Sequence, residues 1–298
     1  MTHRFFVKFI TLTAPACLFL AISCNKNLSS ADTNTDVSFE AVPLSYPLAN
    51  LINEASGIAD SKINPGYLWV QEDSGTPPQL YLLNHSGATE KKVYLKGAIN
   101  IDWEDLCLAA GPDPSKRYLY IGETGDNDAV HPTSAFYRFE EPPAATDTVR
   151  AFDLIVFRYA DGPRDAEAFL VDDNTKDIYI ISKRDATSGI YKLTYPYSTT
   201  ALNTAVYAGA LPYNGVVSAA RSADGSGILI KTYTTIYYYP VMAGESIVQV
   251  LQKPFTTLGY QLEPQGEAVC FAQDNSGFYT LSEKGFSGTQ SLYFYKRK

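Results

Sequence analysis

Asp102-Trp103-Glu104-Asp105-Leu106 and Asp165-Ala166-Glu167-Ala168-Phe169 share one pattern: acid, spacer, acid, spacer, apolar. Each leads through a turn rich in Gly, Pro, Asn or Asp into a short apolar run. These runs are Leu119-Tyr120-Ile121-Gly122-Glu123 and Ile178-Tyr179-Ile180-Ile181-Ser182. The arrangement recurs three more times, opening at residues 54–58, 216–220 and 265–269, with second runs at 68–72, 228–232 and 278–282. A third run centres on Tyr81, Tyr137, Tyr191, Tyr238 and Tyr293, and a weaker fourth lies near Val93, Ile155, Val206 and Val248. The central opening residues are Ser56, Glu104, Glu167, Ser218 and Glu267, spaced 48, 63, 51 and 49 apart. Repeats of about 50 residues with four short strands each are the sequence form of β-propeller blades. The one long spacing is assigned to an insertion around 128–150.

The fifth repeat ends at Lys298 after three strands, while 37–44 forms a spare strand ahead of the first. Exchange of that strand would close a ring and remove the open edges of a linear array. The expectation is an all-β, five-bladed β-propeller over 37–298, with a sixth divergent blade or a β-sandwich as the alternatives. Cys107 and Cys270 each stand three residues after the central position of non-neighbouring repeats. A disulfide needs Cα atoms within about 7 Å, so two free thiols packed as small apolar groups are expected.

Composition agrees with this class. The 298 residues are 45% hydrophobic and 19% charged, with 22 Tyr and 15 Phe, which favours strands over helices. The formal charge of −8, without a basic run beyond the first residues, excludes a nucleic-acid binder. A multi-span membrane protein is excluded too. Residues 1–23 read as a signal: Arg4 and Lys8 precede an apolar stretch too short to span a bilayer comfortably. The sequence Leu20-Ala21-Ile22-Ser23-Cys24 resembles a bacterial lipoprotein signal. That resemblance implies cleavage before Cys24, lipid on its thiol and a cell-envelope location, with Asn25 pointing to the outer membrane. An ordinary secretory signal is the alternative. Residues 24–36 read as the lipidated Cys and a polar tether, and a monomer is expected.

The first residues of each opening strand line one end of a propeller's central channel. The five central positions together with Glu54, Asp102 and Asp165 two residues earlier crowd carboxylates there. Like charges so close need protons, basic partners (Arg164, Lys183, Lys284) or a cation. An all-oxygen ring suits Ca²⁺, and the absence of His and Cys disfavours zinc. The expected metal set is Ser56, Glu104, Glu167, Ser218 and Glu267. Glu54, Asp102, Asp165, Arg164, Lys183 and Lys284 are the expected ligand-binding set. A solvated acidic mouth is the competing reading.

The order Ser56, Glu104, Glu167, Ser218, Glu267, one per repeat, is similar to the central calcium site of the calcium-activated nucleotidases, the apyrase family. A looser similarity runs to phytase-like and other bacterial propeller lipoproteins. The resemblance implies a five-bladed ring with Ca²⁺ at its centre. The apyrase phosphate-handling motifs are not in place. Two functions therefore stand: an envelope binding or scaffold module for an unknown small-molecule or protein ligand, or a metal-dependent phosphoester or phosphoanhydride hydrolase. The second would use the cation as Lewis acid and a Glu or Asp as general base.

Overall fold

A computed structural model describes Met1, 37–48, 51–285 and 288–298. The chain divides between Asp36 and Val37 into two units, the second being Val37–Lys298. Arg4, Lys8 and Cys24 lie outside the described residues. The second unit holds all the described secondary structure and is all-β, as composition implied.

β1 (Leu44–Pro47) precedes the first repeat, an antiparallel meander of β2 (Ala55–Asp60), β3 (Tyr67–Glu72), β4 (Gln79–Asn84) and β5 (Thr89–Leu95). The second repeat is β6 (Trp103–Ala110), β7 (Arg117–Glu123), β8 (Ser134–Glu140) and β10 (Asp153–Tyr159), with β9 (Thr148–Val149) between the last two in sequence. The third is β11 (Ala168–Val171), β12 (Ile178–Ile181), β13 (Gly189–Leu193) and β14 (Asn203–Ala210). The fourth is β15 (Val216–Arg221), β16 (Gly227–Thr232), β17 (Ile236–Pro240), α1 (Ile247–Leu251) and β18 (Thr256–Leu258). The fifth is β19 (Gln265–Phe271), β20 (Gly277–Glu283) and β21 (Ser291–Lys296). β10 and β14 pair in parallel and join the second and third repeats into an eight-stranded sheet.

Strand alternation sends each repeat's side chains into two different cores. Leu68 and Val70 pack with Ala268, Tyr279 and Leu281 of the fifth repeat, whereas Trp69 packs with Trp103, Leu119 and Ile121 of the second. The same division gives cores between repeats two and three, three and four, and four and five. The opening strands contact one another in the cycle β2, β6, β11, β15, β19 and back to β2. Gly57 permits the approach of β2 to β6: a Cβ there would stand 2.5 Å from the Leu106 nitrogen.

Three expectations need correction. A spare N-terminal strand does add to the fifth repeat, but it is β1, with Leu44 opposite Phe294 and Tyr46 opposite Leu292, not 37–44. Pro43 lacks an N–H and constrains Val42. The earlier segment is joined to the fifth repeat by the Phe39–Arg297 bridge and by main-chain bonds from Glu40 to Lys296 and Lys298 to Ser38, and it buries Phe39 against Tyr238, Phe271 and Phe278. Val248 is not in a strand. Ser246 and Gln249 form a reciprocal capping box that starts α1, which satisfies two orphan N–H groups, and the fourth strand of that repeat is β18. The presumed insertion at 128–150 contains β8. The extra length lies in the flanking loops, one of which supplies β9, paired in parallel with β5. Cys107 and Cys270 are free thiols.

Candidate metal centre

The opening strands β2, β6, β15 and β19 all break register at their starts, between Ala55 and Gly57, Trp103 and Leu106, Val216 and Ser218, and Gln265 and Ala268. A bulge inserts a residue and re-aims the side chain beside it. At these breaks Glu104 and Glu267 turn to one place, joined by Glu167 from just ahead of β11. Asp102 and Asp165 come with them, and Asp73 and Glu283 arrive from the ends of the second strands. The seven carboxylates form three overlapping groups: Asp73, Glu267 and Glu283; Asp73, Asp102 and Glu104; Glu104, Asp165 and Glu167. Within each group one oxygen from every residue lies within 4.8 Å of the others.

Two basic side chains answer these acids. Lys183 Nζ contacts Glu167 and donates to Tyr233 Oη at 2.9 Å. Arg184 Nε pairs with Asp165 at 2.6 Å. Tyr233 Oη in turn donates to Glu267 Oε1 at 2.6 Å. With every group ionised the formal charge is −5, from seven acids and two bases. Glu167 Oε2 and Glu267 Oε2 are buried and have no hydrogen-bond partner, although Glu167 and Glu267 are only 5% and 4% exposed. A buried carboxylate oxygen without a partner is costly. Gly125 closes over the same place: a Cβ there would stand 2.3 Å from both Asp102 Oδ2 and Glu104 Oε1.

Burial and mutual repulsion push these acids towards their neutral forms. Burial raises Glu167 to about 8 despite Lys183 beside it. Burial, with the charges of Glu267 and Asp73, raises Glu283 to about 8. Burial raises Asp102 to about 6, with Asp73 and Asp165 adding to it. Glu104 is driven well above the carboxylate range by burial and by Glu167, and Glu267 and Asp73 are raised for the same first reason. With Glu104, Glu167 and Glu283 protonated the site is still −2. Its sign does not depend on those protons.

The structure redistributes the sequence-derived set. Ser218 is one residue out of register: it pairs with Lys231 as Gly57 pairs with Gln71, which puts Val217 at the level of Ser56. Ser218 Oγ donates to Asp105 Oδ1 at 3.1 Å and accepts from Val269 N–H, so it serves Asp105 and not the acidic groups. Ser56 is buried at the bulge of β2. Glu54 is exposed at the rim. Arg164 turns aside, pairing with Asp161 and Asp185 and stacking on Tyr191 at 4.1 Å. Lys284 is held through its main chain, its N–H donating to Asn53 O. The Asp126 carboxylate is taken up by the N–H groups of Val130 and His131.

Asp73, Glu283, Tyr233, Arg184 and Asp105 lay outside the sequence-derived metal and ligand-binding sets; the first four stand at or beside the ends of second strands. Asp105 is fully buried between the opening strands and accepts from Leu106 N–H, Ala219 N–H and Ser218 Oγ. Its single signal was an extra acid directly after Glu104. The donor set of the site is oxygen alone, with no His or Cys in any of the three groups, which suits a hard divalent cation. No protein-family model matches the chain, and no curated protein matches it.

Proposed function

We propose that the chain is a five-bladed β-propeller of the cell envelope, lipid-anchored at Cys24, whose mouth holds a divalent cation and serves as a binding or scaffold module. The cyclic contact of the opening strands and the five cores between successive repeats support the ring. The observation that carries the cation is the pair of buried, unpartnered oxygens, Glu167 Oε2 and Glu267 Oε2, in groups of three acids. Ca²⁺ fits best, because it takes six to eight oxygens at about 2.3–2.6 Å in irregular geometry, while Mg²⁺ demands a tighter octahedron. The anchor rests on Arg4, Lys8 and residues 20–24. Hydrolysis of phosphate esters is the weaker reading, since a single divalent ion leaves the fully ionised mouth at formal −3, unfavourable to an anionic substrate.

Titration calorimetry of the protein with Ca²⁺ after EDTA treatment tests the proposal. Saturable binding that disappears in Glu104→Gln with Glu267→Gln, in a variant that still folds, is the expected result. No heat above dilution in the parent protein, with its fold intact, would overturn it.

A further inference from the structure

The loops that carry the acids also expose aliphatic side chains. Ile99 and Ile101 are 64% and 62% exposed, Val130 is 66% and Leu51 is 52%. Their placement beside the acids is fixed by hydrogen bonds. Asn100, between the two Ile residues, donates through Nδ2 to Asp73 O at 2.8 Å. The N–H groups of Ile101 and Asp102 bond Glu123 at 3.0 and 2.7 Å. The Val130 N–H bonds Asp126, whose own N–H bonds Asp165. Asn53, two residues after Leu51, donates its N–H to Glu72 Oε1 at 2.7 Å. The loops of the first and second repeats thus carry exposed aliphatic side chains beside a negatively charged mouth, together with Glu54, Glu123 and Asp102. Exposed apolar side chains grouped at one functional end of a rigid scaffold mark an interaction surface.

The charge count selects the partner. The empty mouth is formally −2 with Glu104, Glu167 and Glu283 protonated, and −3 once one divalent ion displaces those protons, so an approaching anion is repelled in either state and a cation is attracted in both. We propose that this surface docks a basic, aliphatic peptide segment of a partner protein. Its Lys or Arg side chains would meet Asp102, Glu123 and Glu54, and its Leu- or Ile-type side chains would cover Ile99, Ile101 and Val130. The docking goes beyond the cation site and does not rest on it, because the sign of the mouth is the same with or without the ion.

Fluorescence polarisation with a labelled decapeptide of alternating Lys and Leu tests this, run in EDTA and in excess Ca²⁺. Two control peptides replace every Lys by Glu or every Leu by Ser. The expected result is saturable binding of the Lys-Leu peptide in both conditions, weakened by salt. The Ile99→Ser, Ile101→Ser, Val130→Ser variant should bind it at least about tenfold more weakly, with its melting point unchanged because all three side chains are exposed. Equal binding of the Glu-Leu peptide would overturn the proposal, as would equal binding of the Lys-Ser peptide or an unaltered affinity in the triple variant. A protein that binds no Ca²⁺ but binds the Lys-Leu peptide would refute the cation reading alone.

Discussion

At the residue scale, the site is a set of carboxylates whose neutral forms burial and crowding favour. Glu167 and Glu283, raised to about 8, carry protons in the folded metal-free protein that the unfolded chain releases near pH 4.5. The folded state therefore binds more protons between about 4.5 and 8, and stability falls as pH rises through that window. Urea melts in EDTA should show a lower midpoint at pH 8.5 than at pH 5.5, with a shallower dependence in Glu167→Gln. A midpoint that climbs over the same range would contradict these protonation states. The acids themselves were legible as a repeated pattern: Glu104, Glu167 and Glu267 were all chosen from sequence and are all in the cluster. Ser218 was not legible: β15 carries the same one-residue bulge as β2, but Val217 and not Ser218 occupies it, and the run Val216-Val217-Ser218 has no acid to mark the position. Asp105 and Tyr233 act across repeats, on Ser218, Ala219 and Glu267. Such partners follow from packing and not from spacing.

At the element scale, the strands were easier to read than their ends. All five Tyr-centred third strands are present, as β4, β8, β13, β17 and β21. The errors fall where local chemistry overrides the repeat. Ser246 and Gln249 start a helix inside a repeat otherwise built of strands, and Pro43 delays the closing strand to Leu44–Pro47. β1 covers the outer edge of β21, which would otherwise present a row of unpaired main-chain groups. Deleting residues 37–47 should lower the melting temperature by several degrees and promote self-association, read by calorimetry and light scattering. A truncated protein that melts unchanged and stays monodisperse would show that this seam contributes nothing.

At the scale of the whole molecule, one geometrical fact links fold to function. Five opening strands in cyclic contact bring acids separated by more than 200 residues of sequence, Asp73 and Glu283, within one group. Sheets buried on both sides fix those strands and leave the acids no route to spread apart, so repulsion is relieved by protons or by a cation. The partner surface proposed above lies on the loops of the same end, which the rigid strands position. A cation that binds only the folded state raises stability by mass action. The most direct measurement is the thermal melt of the protein in EDTA and with Ca²⁺ or Mg²⁺ in excess. The account predicts a large upward shift with Ca²⁺, a smaller one with Mg²⁺, and loss of the Ca²⁺ shift in Glu104→Gln with Glu167→Gln. That variant should melt no lower than the parent in EDTA, since it removes two crowded buried acids. Superimposable melts in EDTA and Ca²⁺ would contradict a cation at the mouth.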